Sequence, residues 1–176
     1  FLYASNTVHS IGHILAGLEG FAGLSRRLER LRTWRGVERC DDYAHHPTEV
    51  AATLAAVRQM YPGRKVWSVF QPHQASRTAR LLDELAASLD NSDEVLVAEI
   101  YRAREPQYAP GDVSAADLAR KLRSRGKAAW EIHAPLAIAD ALKTVRGSGS
   151  RTVYVFSDPA CGFCRRLEGE LARLDD

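Results

Sequence analysis

From residue 37 onward, strand-like and helix-like segments alternate, and this alternation restricts the fold more than any other feature of the chain. Val37 to Asp41 reads as a short strand, and Pro47 to Met60 as a helix with apolar Val50, Leu54 and Val57. Lys65 to Phe70 is a strand closed by Gln71-Pro72, and Ser76 to Leu89 a helix carrying Leu81, Leu82, Leu85 and Leu89. Glu94 to Ile100 is a nearly continuous apolar strand. Ser114 to Arg125 is a helix with Ser114 as its N-cap and Asp117 at the capping-box position. A strand over Ala128 to Ile132, a helix over Pro135 to Val145, a strand over Thr152 to Phe156 and a helix over Gly162 to Leu174 complete the series. Gly147-Ser148-Gly149-Ser150 is a turn within it. Strands alternating with helices of these lengths imply βαβ units and a mostly parallel sheet. The expected fold is therefore α/β: a three-layer Rossmann-like domain over residues 36–176. Residues 1–35 stand apart as a short helical segment. There Ile11, Ile14, Leu15 and Leu18, then Leu24, Leu28 and Leu31, recur at helical spacing around Gly20 and Gly23.

Composition removes several classes of function. A chain of 176 residues, 45% hydrophobic and 26% charged, suits one globular domain with a short appendage. A net charge of only +2 argues against a nucleic-acid partner. No apolar run approaches the ~20 residues that cross a bilayer, so no membrane association is expected. Phe1-Leu2-Tyr3-Ala4 lacks the basic start and long apolar core of a signal peptide. Three cysteines do not make a disulfide scaffold, and a cytoplasmic location is the expectation.

Two βα loops hold the chemistry-bearing residues. The first is Asp41-Asp42-Tyr43-Ala44-His45-His46-Pro47-Thr48-Glu49, which packs acids, a phenol and imidazoles ahead of a proline that starts a helix. The second is Phe70-Gln71-Pro72-His73-Gln74-Ala75-Ser76-Arg77-Thr78. Both follow the carboxyl ends of parallel strands, so both face one rim of the sheet, where open α/β sheets place ligands. That rim collects Asp41, Asp42, His45, His46, His73 and Arg77. An arginine beside a helix N-terminus can hold a carboxylate or phosphate in a bidentate fork. The plainer alternatives are a polar loop with one histidine as a cap, and a solvated helix arginine. A zinc site built from His45, His46, His73 and Asp42 is a further alternative, disfavoured because adjacent histidines diverge on most backbones.

These two loops together resemble the Mur ligase family, as do Arg26-Arg27-Leu28-Glu29 upstream and the Asp-Glu-Val-Leu-x-x-x-Ile-Tyr-x-Ala-x-Glu run at 93–105. Phe70-Gln71-Pro72-His73 is similar to the alanine-adding branch rather than to the branch that recycles murein tripeptide. The resemblance implies a C-terminal Rossmann-like domain preceded by the tail of a central ATPase domain. It implies ATP and magnesium as cofactors, and L-alanine, ATP and UDP-N-acetylmuramate as partners. The reaction it implies turns the lactyl carboxylate into an acyl phosphate, which the alanine amine attacks. By position, Arg77 would hold the alanine carboxylate, His45 and His73 would line the same pocket, Asp42 would approach the ATP ribose and Arg27 the phosphates.

The chain also departs from the family. It has no Gly-x-x-Gly-Lys-Thr/Ser phosphate loop, so a fragment inactive on its own is expected. Gln74-Ala75 stands where the family usually has Arg-Tyr, and Glu99 where it often has Asp. The strand ending at Phe156 runs into Ser157-Asp158-Pro159 rather than a Met-Gly-Ala-Gly-like turn. Cys161-Gly162-Phe163-Cys164 follows that strand and opens a helix, the placement of a thioredoxin-type dithiol. The alternative function is therefore a thiol–disulfide or non-catalytic binding module with Cys161 and Cys164 as its redox pair. Trp34, Trp67 and Trp130 are expected to pack, and His9 and His13 to share a solvated helix face.

Overall fold

The computed structural model describes residues 11–133, apart from residues 22, 32, 34–36 and 107–110, together with the backbone of residues 151–156. The expected helices at 135–145 and 162–174, Trp34, His9 and the Cys161/Cys164 pair lie outside the described residues.

The described elements are α1 (Ile11–Glu19), β1 (Glu29–Arg30), β2 (Val37–Asp42), α2 (Pro47–Met60), β3 (Lys65–Phe70), α3 (Ala75–Arg80) and α4 (Leu82–Ser88). They continue with β4 (Glu94–Ala98), α5 (Ala115–Ser124), β5 (Ala128–Ile132) and β6 (Arg151–Phe156). The strands form one sheet in the order β1-β2-β6-β3-β4-β5. All neighbours are parallel except β1, which pairs antiparallel with β2 at Glu29–Asp41 and Arg30–Cys40. The latest of the described strands sits inside the sheet: Arg151 lies beside both Val37 and Lys65, and Phe156 beside both Asp42 and Phe70.

The core follows the strand alternation. Cys40, Val66, Phe70, Val95, Val97 and Ala129 pack against Val50, Leu54 and Val57 of α2, Leu85 of α4, and Leu118 and Leu122 of α5. On the opposite face Trp67, Val69 and Leu96 are buried as well, as in parallel sheets covered on both sides. Trp67 stacks on Trp130 at 6.4 Å between ring centroids. By contrast α1 buries nothing, and Ile11, Ile14, Leu15 and Leu18 are all exposed.

Three expectations need correction. The helical spacing of Leu24, Leu28 and Leu31 is not a helix. Arg26 and Leu28 have φ of 58° and 52°, outside right-handed helical space, and Glu29 begins β1. The Arg26 and Leu28 amides donate instead to the carboxylates of Glu29 (2.6 Å) and Asp42 (2.7 Å). The helix expected over Ser76 to Leu89 is two pieces, broken at Leu81. The break is one residue wide, since Leu81 still donates to the Arg77 carbonyl and accepts from the Leu85 amide. The strand expected to reach Ile100 ends at Ala98, because the peptide groups of Tyr101 are bonded to the second loop.

The capping box of α5 is as expected. The Ser114 hydroxyl and amide both donate to Asp117, at 2.7 and 2.9 Å. The Ser114 hydroxyl, then its amide, then Arg120 hold the Asp117 carboxyl below the ordinary aspartate range. A carboxyl depressed in the folded state adds stability above its unfolded pKa of about 3.9, lost as pH falls through the folded value. Asp117→Asn should therefore lower the urea midpoint at pH 7, with the gap to the parent closing at pH 2.5. An equal gap at both pH values contradicts this role.

Candidate functional site

The first loop is organised by its carboxylates. Asp42 is buried at 5% exposure, and its two oxygens accept the amides of Leu28 and Ala44, each at 2.7 Å. Asp41 accepts the Arg26 guanidinium at 3.3 Å, and the Tyr43 amide donates to the Arg26 carbonyl at 2.9 Å. The segment before β1 is thereby clasped to the loop after β2. The two adjacent histidines then separate by role. His46 is the N-cap of α2, its Nδ1 accepting the Thr48 amide while Glu49 accepts the His46 amide. His45 faces the rim, its Nδ1 lying 3.0 Å from the Tyr43 carbonyl and 3.6 Å from the Glu49 carboxylate. Both neighbours are acceptors, so Nδ1 carries a proton and donates to the Tyr43 carbonyl. Burial pushes the Glu49 carboxyl up, but the amides of His45 and His46 bring it below its ordinary value.

The second loop is held from the β4 side. The Gln71 side-chain amide donates to the Glu99 carbonyl at 2.9 Å. The Tyr101 amide donates to Pro72, and the Gln74 amide to Tyr101, each at 2.8 Å. Gln74 has a φ of 63°, and its carbonyl receives both the amide and the hydroxyl of Thr78. Glu105 accepts the amides of Ala75 and Ser76 and the Ser76 hydroxyl, capping α3. The Ser76 hydroxyl is the main reason its carboxyl titrates below the ordinary glutamate range. Glu105 is absent from the residues singled out by spacing, and its only sequence signal is its place at the end of the 93–105 run.

The two loops meet. The His45 and His73 rings stack at 5.6 Å with 15° between planes. Tyr43 lies 5.1 Å from His45, and Tyr101 stands edge-on to His73 at 5.4 Å. The guanidiniums of Arg26 and Arg27 sit over Tyr43, 5.0 and 5.8 Å from its centroid. Arg27 is exposed. Arg77 is half-buried on the first turn of α3, and none of the described carboxylates is ion-paired with it. Aromatic walls with two such cations suit a small ligand bearing a carboxylate or phosphate. Asp42 and His46 accept backbone amides, and no group of three or more His, Cys, Asp or Glu among the described residues could hold a metal ion. Glu99 pairs with His133 at 3.3 Å, further along the same rim. No helix among the described residues is long and apolar enough to cross a membrane.

A family model described as Mur ligase, glutamate ligase domain, matches residues 26–158. UDP-N-acetylmuramate–L-alanine ligase of Lachnospira eligens is 49% identical over 115 residues, which are 65% of this chain and 24% of that protein. The chain thus spans about a quarter of the length of the curated relatives it matches. The crystal structure of UDP-N-acetylmuramate-alanine ligase from Thermotoga maritima superposes with a TM-score of 0.69 at 23% identity, over 94% of this chain and 34% of that one. Bifunctional folylpolyglutamate synthase/dihydrofolate synthase from Yersinia pestis, complexed with AMPPNP and a Mn ion, gives a TM-score of 0.59 at 22% identity, over 98% and 36%. At these identities the two structures show a shared fold.

Proposed function

Because this chain belongs to the Mur ligase family, we propose that it is the C-terminal domain of a cytoplasmic, ATP-dependent ligase joining L-alanine to UDP-N-acetylmuramate in peptidoglycan synthesis. The observation that carries this reading is the meeting of the two βα loops, with His45 stacked on His73 and Arg77 on the adjoining turn. ATP would supply the phosphoryl group that activates the acceptor carboxylate, and a divalent metal would neutralise the phosphate charge. The chain has no phosphate loop of its own, so the rest of the ligase holds most of that pair.

The residues present fit the remaining tasks. Arg77 takes the alanine carboxylate. His45, protonated on Nδ1, offers Nε2 to the alanine ammonium, and His73 closes the pocket behind it. Arg27, exposed beside Tyr43, reaches the phosphates from the lead-in segment. Asp42 approaches the ribose with the lone pairs that its two amide donors leave unused. The exposed apolar residues of α1 pack against the body of the ligase. The test is ADP release by the complete polypeptide with L-alanine, UDP-N-acetylmuramate and magnesium. Release requiring both substrates is expected, and the 176-residue chain alone should give none. A complete polypeptide equally active without L-alanine would refute the reading.

A further inference from the structure

We infer that Glu105 is a positioning residue of the rim: its carboxylate holds the strained Gln74 turn and so sets His73 against His45. The contact stands on geometry alone, and only the substrate it serves rests on the ligase reading. Gln74 has a φ of 63°, and Ala103, in the turn that aims Glu105, has a φ of 54°. Residues without glycine's freedom persist in such conformations only where their surroundings over-determine them. Here they do so across one contact. Gln74 provides no side-chain cap for α3, and Glu105 supplies one by accepting the Ala75 and Ser76 amides and the Ser76 hydroxyl. From the same segment the Tyr101 carbonyl accepts the Gln74 amide, and the Tyr101 ring stands against His73. The strained turn is therefore gripped on both flanks, with His73 just before it and Arg77 just after. Glu105 forms no hydrogen bond or ion pair with His45, His73 or Arg77, so it acts through the backbone.

The test uses Glu105→Ala and Glu105→Gln, each with and without Gln74→Gly. In the 176-residue chain, E105A should move the ring-proton resonances of both His73 and His45 and speed Thr78 amide exchange roughly tenfold. E105Q, whose amide oxygen still accepts a hydrogen bond, should move them part of the way. Q74G added to E105A should restore the ring resonances, because glycine adopts positive φ without strain. In the complete ligase, E105A should raise the KM for L-alanine roughly tenfold with the KM for ATP unchanged, and Q74G should reverse it. Unmoved histidine resonances in E105A, or equal changes in both KM values, overturn the inference. A complete parent enzyme that does not ligate alanine removes the ligase reading, while the resonance measurement still decides the role of Glu105.

Discussion

Replacing Arg77 with alanine in the complete ligase raises the KM for L-alanine roughly 10- to 100-fold, because a hydrogen bond to a charged group contributes about 1.5–3 kcal/mol. The KM for UDP-N-acetylmuramate stays within about twofold, since additivity holds for sites that share no partner. Arg77 is suited to this loss because none of the described carboxylates competes for its guanidinium. Arg77→Lys keeps the charge but not the planar fork, and should fall between parent and alanine variant. Gln74→Arg acts in the opposite direction: it adds a cation beside the stacked histidines and should lower the alanine KM. Steady-state kinetics with each substrate varied in turn measure all three. An R77A enzyme with parental alanine kinetics removes Arg77 from the pocket.

The second large effect concerns stability. Asp42→Ala strips the acceptor from two amides at once, and Ala44 is itself buried. Leaving a buried donor unsatisfied costs about 1–3 kcal/mol, so the pair together costs about 2–6 kcal/mol, a large share of a typical domain's stability. Urea denaturation should show that loss, and the Leu28 and Ala44 amides should exchange fastest relative to the parent. Asp42→Asn keeps one acceptor oxygen and should lose about half as much. A D42A domain within about 0.5 kcal/mol of the parent means the clasp contributes nothing.

The elements that could be read from sequence are those with one dominant cause. β3 and β5 run from Lys65 to Phe70 and from Ala128 to Ile132 as expected, and α2 begins at Pro47 because proline and a capping box coincide there. The reading of one histidine as a cap holds for His46, and the two-loop rim holds for His45 and His73. What could not be read depends on partners distant in sequence. Leu24, Leu28 and Leu31 keep helical spacing, yet the Asp42 carboxylate takes an amide that a helix would need. β4 stops at Ala98, short of Ile100, because Pro72 and Gln74 claim the peptide groups of Tyr101 just beyond. Glu105 acts on α3 across the gap between two loops, which no local periodicity records. Strand order is equally hidden, since nothing near Phe70 indicates that β6 lies between β3 and β2.

That inner position of β6 has a cost in time. A ribosome that has delivered β2 and β3 must add the 80 residues from 71 to 150 before the strand that joins them exists. At about 5–20 residues per second, this takes roughly 4–16 seconds. Throughout that interval Val37–Asp42 and Lys65–Phe70 each present an unpaired edge, the kind of surface that recruits strands from other chains. A nascent chain stalled or cut before Arg151 keeps both edges open for good, so shortened forms should aggregate even though every helix of the described core is already made.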